Sequence, residues 1–184
     1  PLLTIRDATV LFEDWGELRF DPGASYTYSN PGYETLALIV ENASGKPFED
    51  YLQDEILDPA GMPTAQMRAR PETEIPGRAV GYYRDRSGTI HELDDHPGNW
   101  MLGAGGLYAS LDDLYFWDRA LRGNELLSAE WQEQAFARPA LSNGKLSNYG
   151  FGWVNGESNG RRTAQHGGGW VGFRTYILRY LDDN

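Results

Sequence analysis

The chain has 184 residues, and 16 Lys and Arg against 27 Asp and Glu leave a formal charge of −11. So acidic a surface repels nucleic acid unless basic residues gather on one face, and here they are scattered, so a nucleic-acid partner is not expected. With 40% hydrophobic and 13% aromatic residues the chain can offset the entropy of ordering, and with no cysteine it can hold neither a disulfide, nor a thiolate zinc site, nor a cysteine nucleophile.

The length suits one domain, residues 1–184, and no apolar run approaches the roughly 18 residues of a membrane span. The chain opens at Pro1 without Met or a signal peptide, so it reads as a piece of something longer.

Apolar spacing predicts a helix from Leu2 to Phe20, closed by the turn Asp21-Pro22-Gly23. A second helix is expected over Gly32 to Ser44, with Tyr33, Leu36, Ala37 and Val40 on one face, Asn30 as cap and Gly45 as stop. Pro47 suits the first position of a third, running through Phe48, Tyr51, Leu52 and Ile56 to Leu57 and stopped by Pro59 and Gly61.

Met62 to Gly98 reads as long loop with one hairpin, Ala79–Tyr83 turning through Arg86-Ser87-Gly88 to Thr89-Ile90. Ser110 and Asp113 form a capping box for a helix from Leu111 to Leu121, with Leu114, Trp117, Ala120 and Leu121 as its buried stripe. A short helix follows from Ser128 to Phe136. After Pro139, Tyr149–Val154, Arg161–His166 and Gly172–Tyr180 read as strands of an antiparallel meander. The fold class is therefore α+β, with residues 1–140 mainly helix and loop and residues 141–184 strand.

Three patterns could carry chemistry. In Tyr26-Thr27-Tyr28-Ser29-Asn30, a phenol and a carboxamide two residues apart in extended backbone can point to one side, or the segment is simply a helix cap with aromatic packing. In His166-Gly167-Gly168-Gly169, three glycines leave backbone N–H groups uncovered, as an oxyanion hole requires, or they form a flexible turn. His91-Glu92-Leu93-Asp94-Asp95-His96 gathers potential metal ligands but lacks helical zinc spacing, so it reads as a solvated acidic loop and no metal or other cofactor is expected. The pairs Asp112-Asp113 and Asp182-Asp183 read as a helix start and an exposed turn.

Taken in order, Phe20-Asp21-Pro22-Gly23, Tyr28-Ser29-Asn30-Pro31-Gly32-Tyr33, Ser44-Gly45-Lys46-Pro47-Phe48, Ile56-Leu57-Asp58-Pro59-Ala60-Gly61-Met62, Gly103-Ala104-Gly105-Gly106-Leu107, Tyr149-Gly150-Phe151-Gly152-Trp153 and His166-Gly167-Gly168 carry a family pattern. The sequence resembles the serine β-lactamase and penicillin-binding-protein-like superfamily, in its class C β-lactamase, D-aminopeptidase and esterase branch. The resemblance implies a β-lactamase/transpeptidase-like fold and a serine hydrolase working through an acyl-enzyme on an ester, amide or β-lactam carbonyl, with esterase or peptidase favoured. Tyr28 would share proton transfer with the family's lysine, Asn30 would bond that lysine and the substrate, and His166 would orient substrate or tyrosine. Gly167 and Gly168 complete the His-x-Gly strand, and the N–H of Gly169 would be half of an oxyanion hole.

The family's Ser-x-x-Lys should precede Tyr28, and none occurs between Pro1 and Ser25; Ser142-Asn143-Gly144-Lys145 falls after it and reads as a turn. The resemblance therefore implies a chain truncated at both ends and inactive alone, or else a catalytically silent module that binds a peptide or cell-wall fragment. Partners are a small-molecule or peptide substrate, the oligomeric state is open, and a periplasmic or extracellular location is favoured.

Overall fold

In a computed structural model of the chain, the described residues are 7, 10, 17–94 and 96–183. The helix expected over Leu2 to Phe20 lies mostly outside them; Asp7 and Val10 are helical, whereas 17–20 are bend and irregular backbone. Two compact units emerge, one of residues 1–17, 28–79 and 95–126, the other of residues 18–27, 80–94 and 127–184. The mixture of helix and antiparallel sheet is the α+β class expected. Among the described residues no helix is long and apolar enough to cross a membrane.

In the first unit, α1 (Asn30–Ser44) begins at Ser29, whose side chain accepts the Gly32 N–H at 3.0 Å, so the cap is Ser29 and not Asn30. Gly45 ends the helix at φ 73, as its place predicted. The inner face differs from the one expected: Leu36 is 51% exposed, whereas Glu34 is 0% and Ala37 3% exposed. The reason is polar. The Glu34 carboxylate accepts the N–H groups of Gly103 at 3.0 Å and Ala104 at 2.9 Å, and Glu41, two turns on, accepts the Phe48 N–H at 3.0 Å. Helical spacing of 34, 37, 38 and 41 therefore defines the inner face, which a hydrophobic count overlooks.

Helix α2 (Phe48–Leu52) passes into a π-helical turn, Gln53–Leu57, and Pro47 stands one place earlier than expected, as N-cap. Strand β1 (Gln66–Met67), inside what reads as loop from sequence, pairs antiparallel with β4 (Leu107–Tyr108). Leu52 packs against two clusters of buried residues, Ala37, Met67 and Leu102 on one side and Leu57, Ala60, Met62 and Ala65 on the other. Phe116, Trp117 and Ala120 of α3 (Leu111–Ala120) cover the second cluster, whereas Leu114, expected in the buried stripe, is 37% exposed.

The capping box of α3 is complete, with the Asp113 N–H on Ser110 Oγ at 3.1 Å and the Ser110 N–H on Asp113 Oδ2 at 2.8 Å. Asp113 is also 0% exposed and holds the loop before β1, accepting from the Thr64 N–H at 3.1 Å and from the Thr64 hydroxyl.

In the second unit, β2 (Tyr82–Arg84) and β3 (Ile90–Glu92) make the expected hairpin, with bounds shifted by one to three residues. The four-stranded sheet runs β5 (Tyr149–Gly150), β6 (Trp153–Ser158), β7 (Arg161–Trp170), β8 (Phe173–Tyr180) in chain order, antiparallel throughout. The strand expected at Tyr149–Val154 is thus two strands, folded at Phe151-Gly152. The one expected at Arg161–His166 continues through the glycines to Trp170, because each of those residues has a ladder partner on β8.

Helix α4 (Ala129–Ala135), capped by Ser128, sits on the sheet. Asn155, 2% exposed, donates to the carbonyls of Ala135 at 3.2 Å and Ala137 at 3.0 Å, and the Arg179 guanidinium lies 5.1 Å from the Phe136 ring. Gly172 and Gly81 meet backbone to backbone: a Cβ on Gly172 would stand 2.5 Å from Gly81 Cα, so the β7–β8 turn and the hairpin lie side by side only because both lack side chains.

Two stability tests follow. Burial would raise the Asp113 pKa, but hydrogen bonds from Thr64 and Ser110 outweigh it and pull it down to about 2. A carboxylate lowered in the folded state contributes stability above its unfolded pKa of about 4 and loses it as pH falls from there toward 2. Asp113→Ala is expected to cost about 2 kcal/mol in a urea melt at pH 7 and to flatten the acid limb of the stability curve. The second test concerns the β5–β6 turn, where Phe151 has φ 49 and Gly152 φ 84, a type I′ pattern that suits Asn-Gly far better than Phe-Gly. Phe151→Asn is expected to gain about 0.5–1 kcal/mol in the same melt.

Candidate functional site

The residues singled out from sequence fall on both units. Tyr28, 53% exposed, stands in extended backbone just before the Ser29 cap, and Asn30 is the first, exposed residue of α1. Pro31, in the first turn of α1, has no N–H to leave unsatisfied, and its carbonyl takes the Thr35 hydroxyl at 3.1 Å, so the cap and first turn are held locally. The N-cap reading of this segment is correct for Ser29, and the two side chains of chemical interest flank that cap.

His166, Gly167, Gly168 and Gly169 lie on β7. They are regular strand rather than turn, paired with Ile177, Tyr176, Thr175 and Arg174 of β8. The ladder with β6 ends at the pair Val154–Gln165, so beyond Gln165 no strand among the described residues flanks β7 on that side. An antiparallel strand aims its N–H and C=O groups alternately to its two sides, so this edge presents backbone polar groups outward, with Gly167, Gly168 and Gly169 all exposed. It is here that a ligand oxygen or an extended peptide could take backbone hydrogen bonds.

The side chains around this stretch are arranged by two tyrosines. Tyr149 Oη is 3.0 Å from His166 Nε2, with the two rings edge to face at 5.7 Å, and Tyr26 stacks on Tyr149 at 5.0 Å. Tyr176 lies over Gly167, where a Cβ would meet its ring at 3.7 Å, and its hydroxyl donates to Gln165. At Gly168 a Cβ would fall on the Thr175 hydroxyl, whereas Gly169 has nothing closer than Arg174 at 3.8 Å. Next to Gly169 an open groove of about 830 Å³ is lined by Tyr82, Tyr83, Leu93, Trp170 and Arg174. The Arg174 guanidinium is anchored on the carbonyls of Trp170 at 2.8 Å and Phe173 at 2.5 Å.

Tyr149 is the residue that sequence reasoning missed. It was visible as the first letter of Tyr-Gly-Phe-Gly-Trp, but nothing in the local pattern connects it with a histidine 17 positions on.

The remaining motifs make local structural contacts. His91 pairs with Asp85 at 2.8 Å across the β2–β3 hairpin, and His96 accepts the Gly98 N–H at 3.1 Å as the cap of a 3₁₀ turn, Pro97–Trp100. Ser142-Asn143-Gly144-Lys145 is a turn, closed by the Leu141 N–H on the Lys145 carbonyl at 2.8 Å, so Ser142 does not open a helix. Asp182 and Asp183 pair with Arg162 and Arg161, each at 2.8 Å, at the exposed end of the sheet.

Gly168 offers a direct check on this geometry. Gly168→Ala is expected to cost about 1–3 kcal/mol, and Thr175→Ala in the same chain to recover part of it, read as a coupling energy in a double-mutant cycle. Additive losses would mean that the Thr175 hydroxyl does not occupy that space.

The penicillin-binding protein 4* of Bacillus subtilis is 36% identical, over 89% of this chain and 39% of that protein. A D-aminopeptidase of Gluconobacter oxydans is 30% identical, over 97% of this chain and 33% of its own length. The octameric penicillin-binding protein homologue from Pyrococcus abyssi superposes with a TM-score of 0.81 at 25% identity, over 99% of this chain and 42% of that one. The chain thus spans about a third to two fifths of each. The profile of the beta-lactamase family matches residues 13–184, and with the motifs on α1 and β7 in their expected order the chain belongs to that family, within the serine β-lactamase and penicillin-binding-protein-like superfamily.

Proposed function

We propose that the protein containing this chain is a serine hydrolase that cleaves amide or peptide bonds through an acyl-enzyme. The observation that carries the reading is the β7 edge beyond His166, where Gly167, Gly168 and Gly169 are a stretch of exposed, bare backbone beside an aromatic groove. Such an edge can bind an extended peptide by strand addition and meet the negative oxygen of a tetrahedral intermediate with an N–H, the task assigned to Gly169.

Tyr28 serves as the acid/base, taking the proton from the nucleophilic serine during acylation and returning it to the leaving amine. Asn30 bonds the family's lysine and the substrate, His166 orients substrate or tyrosine, and Gly167 and Gly168 keep the strand free of side chains. The nucleophile is assigned to a Ser-x-x-Lys in a part of the protein outside these 184 residues. The name of the Gluconobacter relative favours peptides or amides of D-amino acids as the substrate class.

The test uses the complete protein with a D-alanine p-nitroanilide, a p-nitrophenyl ester, nitrocefin and a fluorophosphonate probe. Turnover of the anilide with covalent labelling is expected. Tyr28→Phe is expected to lower kcat by about 100-fold or more without preventing folding. Absence of turnover and labelling, with binding of cell-wall peptide retained, would replace this reading by that of a silent binding module.

A further inference from the structure

We infer that Tyr149 is a positioning residue for His166: its phenol donates to Nε2, fixes the ring and places the imidazole proton on Nδ1, with Tyr26 stacked on it to hold the phenol in place. The inference rests on the proposed role of His166 for its functional meaning, but its structural content stands on the chain itself.

The geometry is specific. Oη and Nε2 are 3.0 Å apart, within the range of a well-formed hydrogen bond, and the edge-to-face packing of the rings at 5.7 Å and 71° removes the freedom to swing either one away. The Tyr26 ring lies nearly parallel to that of Tyr149, at 5.0 Å and 24°, so the phenol ring is buttressed by a stacked neighbour.

The direction of the bond follows from acidity. In a neutral pair, the phenol O–H is a far stronger acid than an imidazole N–H, so the phenol donates and Nε2 accepts. A neutral imidazole carries one proton, and the partner on one nitrogen thereby decides which nitrogen holds it. The protein thus selects one tautomer, with Nδ1 as the donor that His166 offers. Tyr149 reaches His166 from β5, the sheet strand furthest from β8, so the bond also ties the Tyr-Gly-Phe-Gly-Trp hairpin to the point where β7 leaves the β6 ladder.

The test reads the ring nitrogens of His166 directly. With three histidines in the chain, long-range proton–nitrogen correlation spectra at neutral pH, assigned by His91→Gln and His96→Gln, isolate the His166 signals. Nε2 is expected at the shift of an unprotonated, hydrogen-bonded nitrogen and Nδ1 at that of a protonated one. Tyr149→Phe keeps the ring and its stacking on Tyr26, and is expected to shift His166 toward the tautomer mixture of free imidazole. Tyr26→Leu, which leaves the hydroxyl in place, is expected to shift it part of the way.

A proton found on Nε2 in the unaltered chain, or a His166 spectrum indifferent to Tyr149→Phe, would overturn the inference; the first measurement alters neither Tyr149 nor His166 and so does not depend on a variant of the pair folding.

In the complete protein, Tyr149→Phe is expected to lower kcat about tenfold with KM little changed, as loss of an orienting partner does. If His166→Ala leaves kcat unchanged, the proposed catalytic role of His166 fails, while the tautomer measurement still decides the role of Tyr149.

Discussion

Backbone N–H groups at segment ends and in loops need acceptors, and in the first unit buried or half-buried carboxylates supply them. Glu34 takes two, from Gly103 and Ala104; Glu41 takes that of Phe48; Asp113 takes those of Thr64 and Ser110. Each oxygen on a carboxylate has two lone pairs, and charge-assisted bonds from several donors can offset the cost of removing the charge from water. The consequence reaches the rest of the unit. Helices α1 and α3 must turn an acid inward, so their inner faces are partly polar, and the apolar core divides into two small clusters joined at Leu52. The start of α1, which carries Asn30 and follows Tyr28, is therefore fixed by a helix anchored through its glutamates.

The second unit meets the same requirement by a ladder. Three consecutive glycines would ordinarily weaken a strand, yet β7 runs through them because β8 pairs with every one. Their missing side chains have a use: Tyr176 covers Gly167 and the Thr175 hydroxyl fills the space at Gly168, so the glycines admit groups from β8 on their own sheet. The approach of Gly81 to Gly172 does the same between hairpin and turn. What remains bare is the β6-side edge, and that is where the backbone is available to a ligand.

These arrangements explain which parts of the fold can be read from sequence. The capping box of α3, the stop at Gly45 and the turn at Asn143-Gly144 depend on residues a few positions apart, and the sequence pattern locates each of them. The inner face of α1 depends on Gly103, some 70 positions away, so the hydrophobic count places Leu36 inside and Glu34 outside. Ser29 and Asn30 are both good caps, and only the backbone angles of Ser29 decide between them. For Gly167 to Gly169 the local pattern leaves turn and strand both open, because their strand character comes from β8. Of the candidate site, Tyr28, Asn30, His166 and the glycines are legible through motif order, but Tyr149 is not, since its partner is set by the sheet.

The polar neighbours of the β7 edge also differ in kind from those of the first unit. Carboxylates suit backbone N–H groups that must stay bonded. They would be poor neighbours for an N–H that is to meet a negative oxygen: at about 4 Å, a like charge near a protein surface opposes the second by about 4 kcal/mol. In a chain of net charge −11, acids are the commonest polar groups at hand. Tyr149, Tyr176 and Thr175, which touch this stretch, are instead neutral, and Arg174, the ladder partner of Gly169, is cationic. Hydroxyl groups orient the strand's side chains without adding negative charge, and the anchored guanidinium adds a positive one. The groups that touch this stretch are thus the electrostatic counterpart of the proposed reaction, neutral or cationic where charge is to develop.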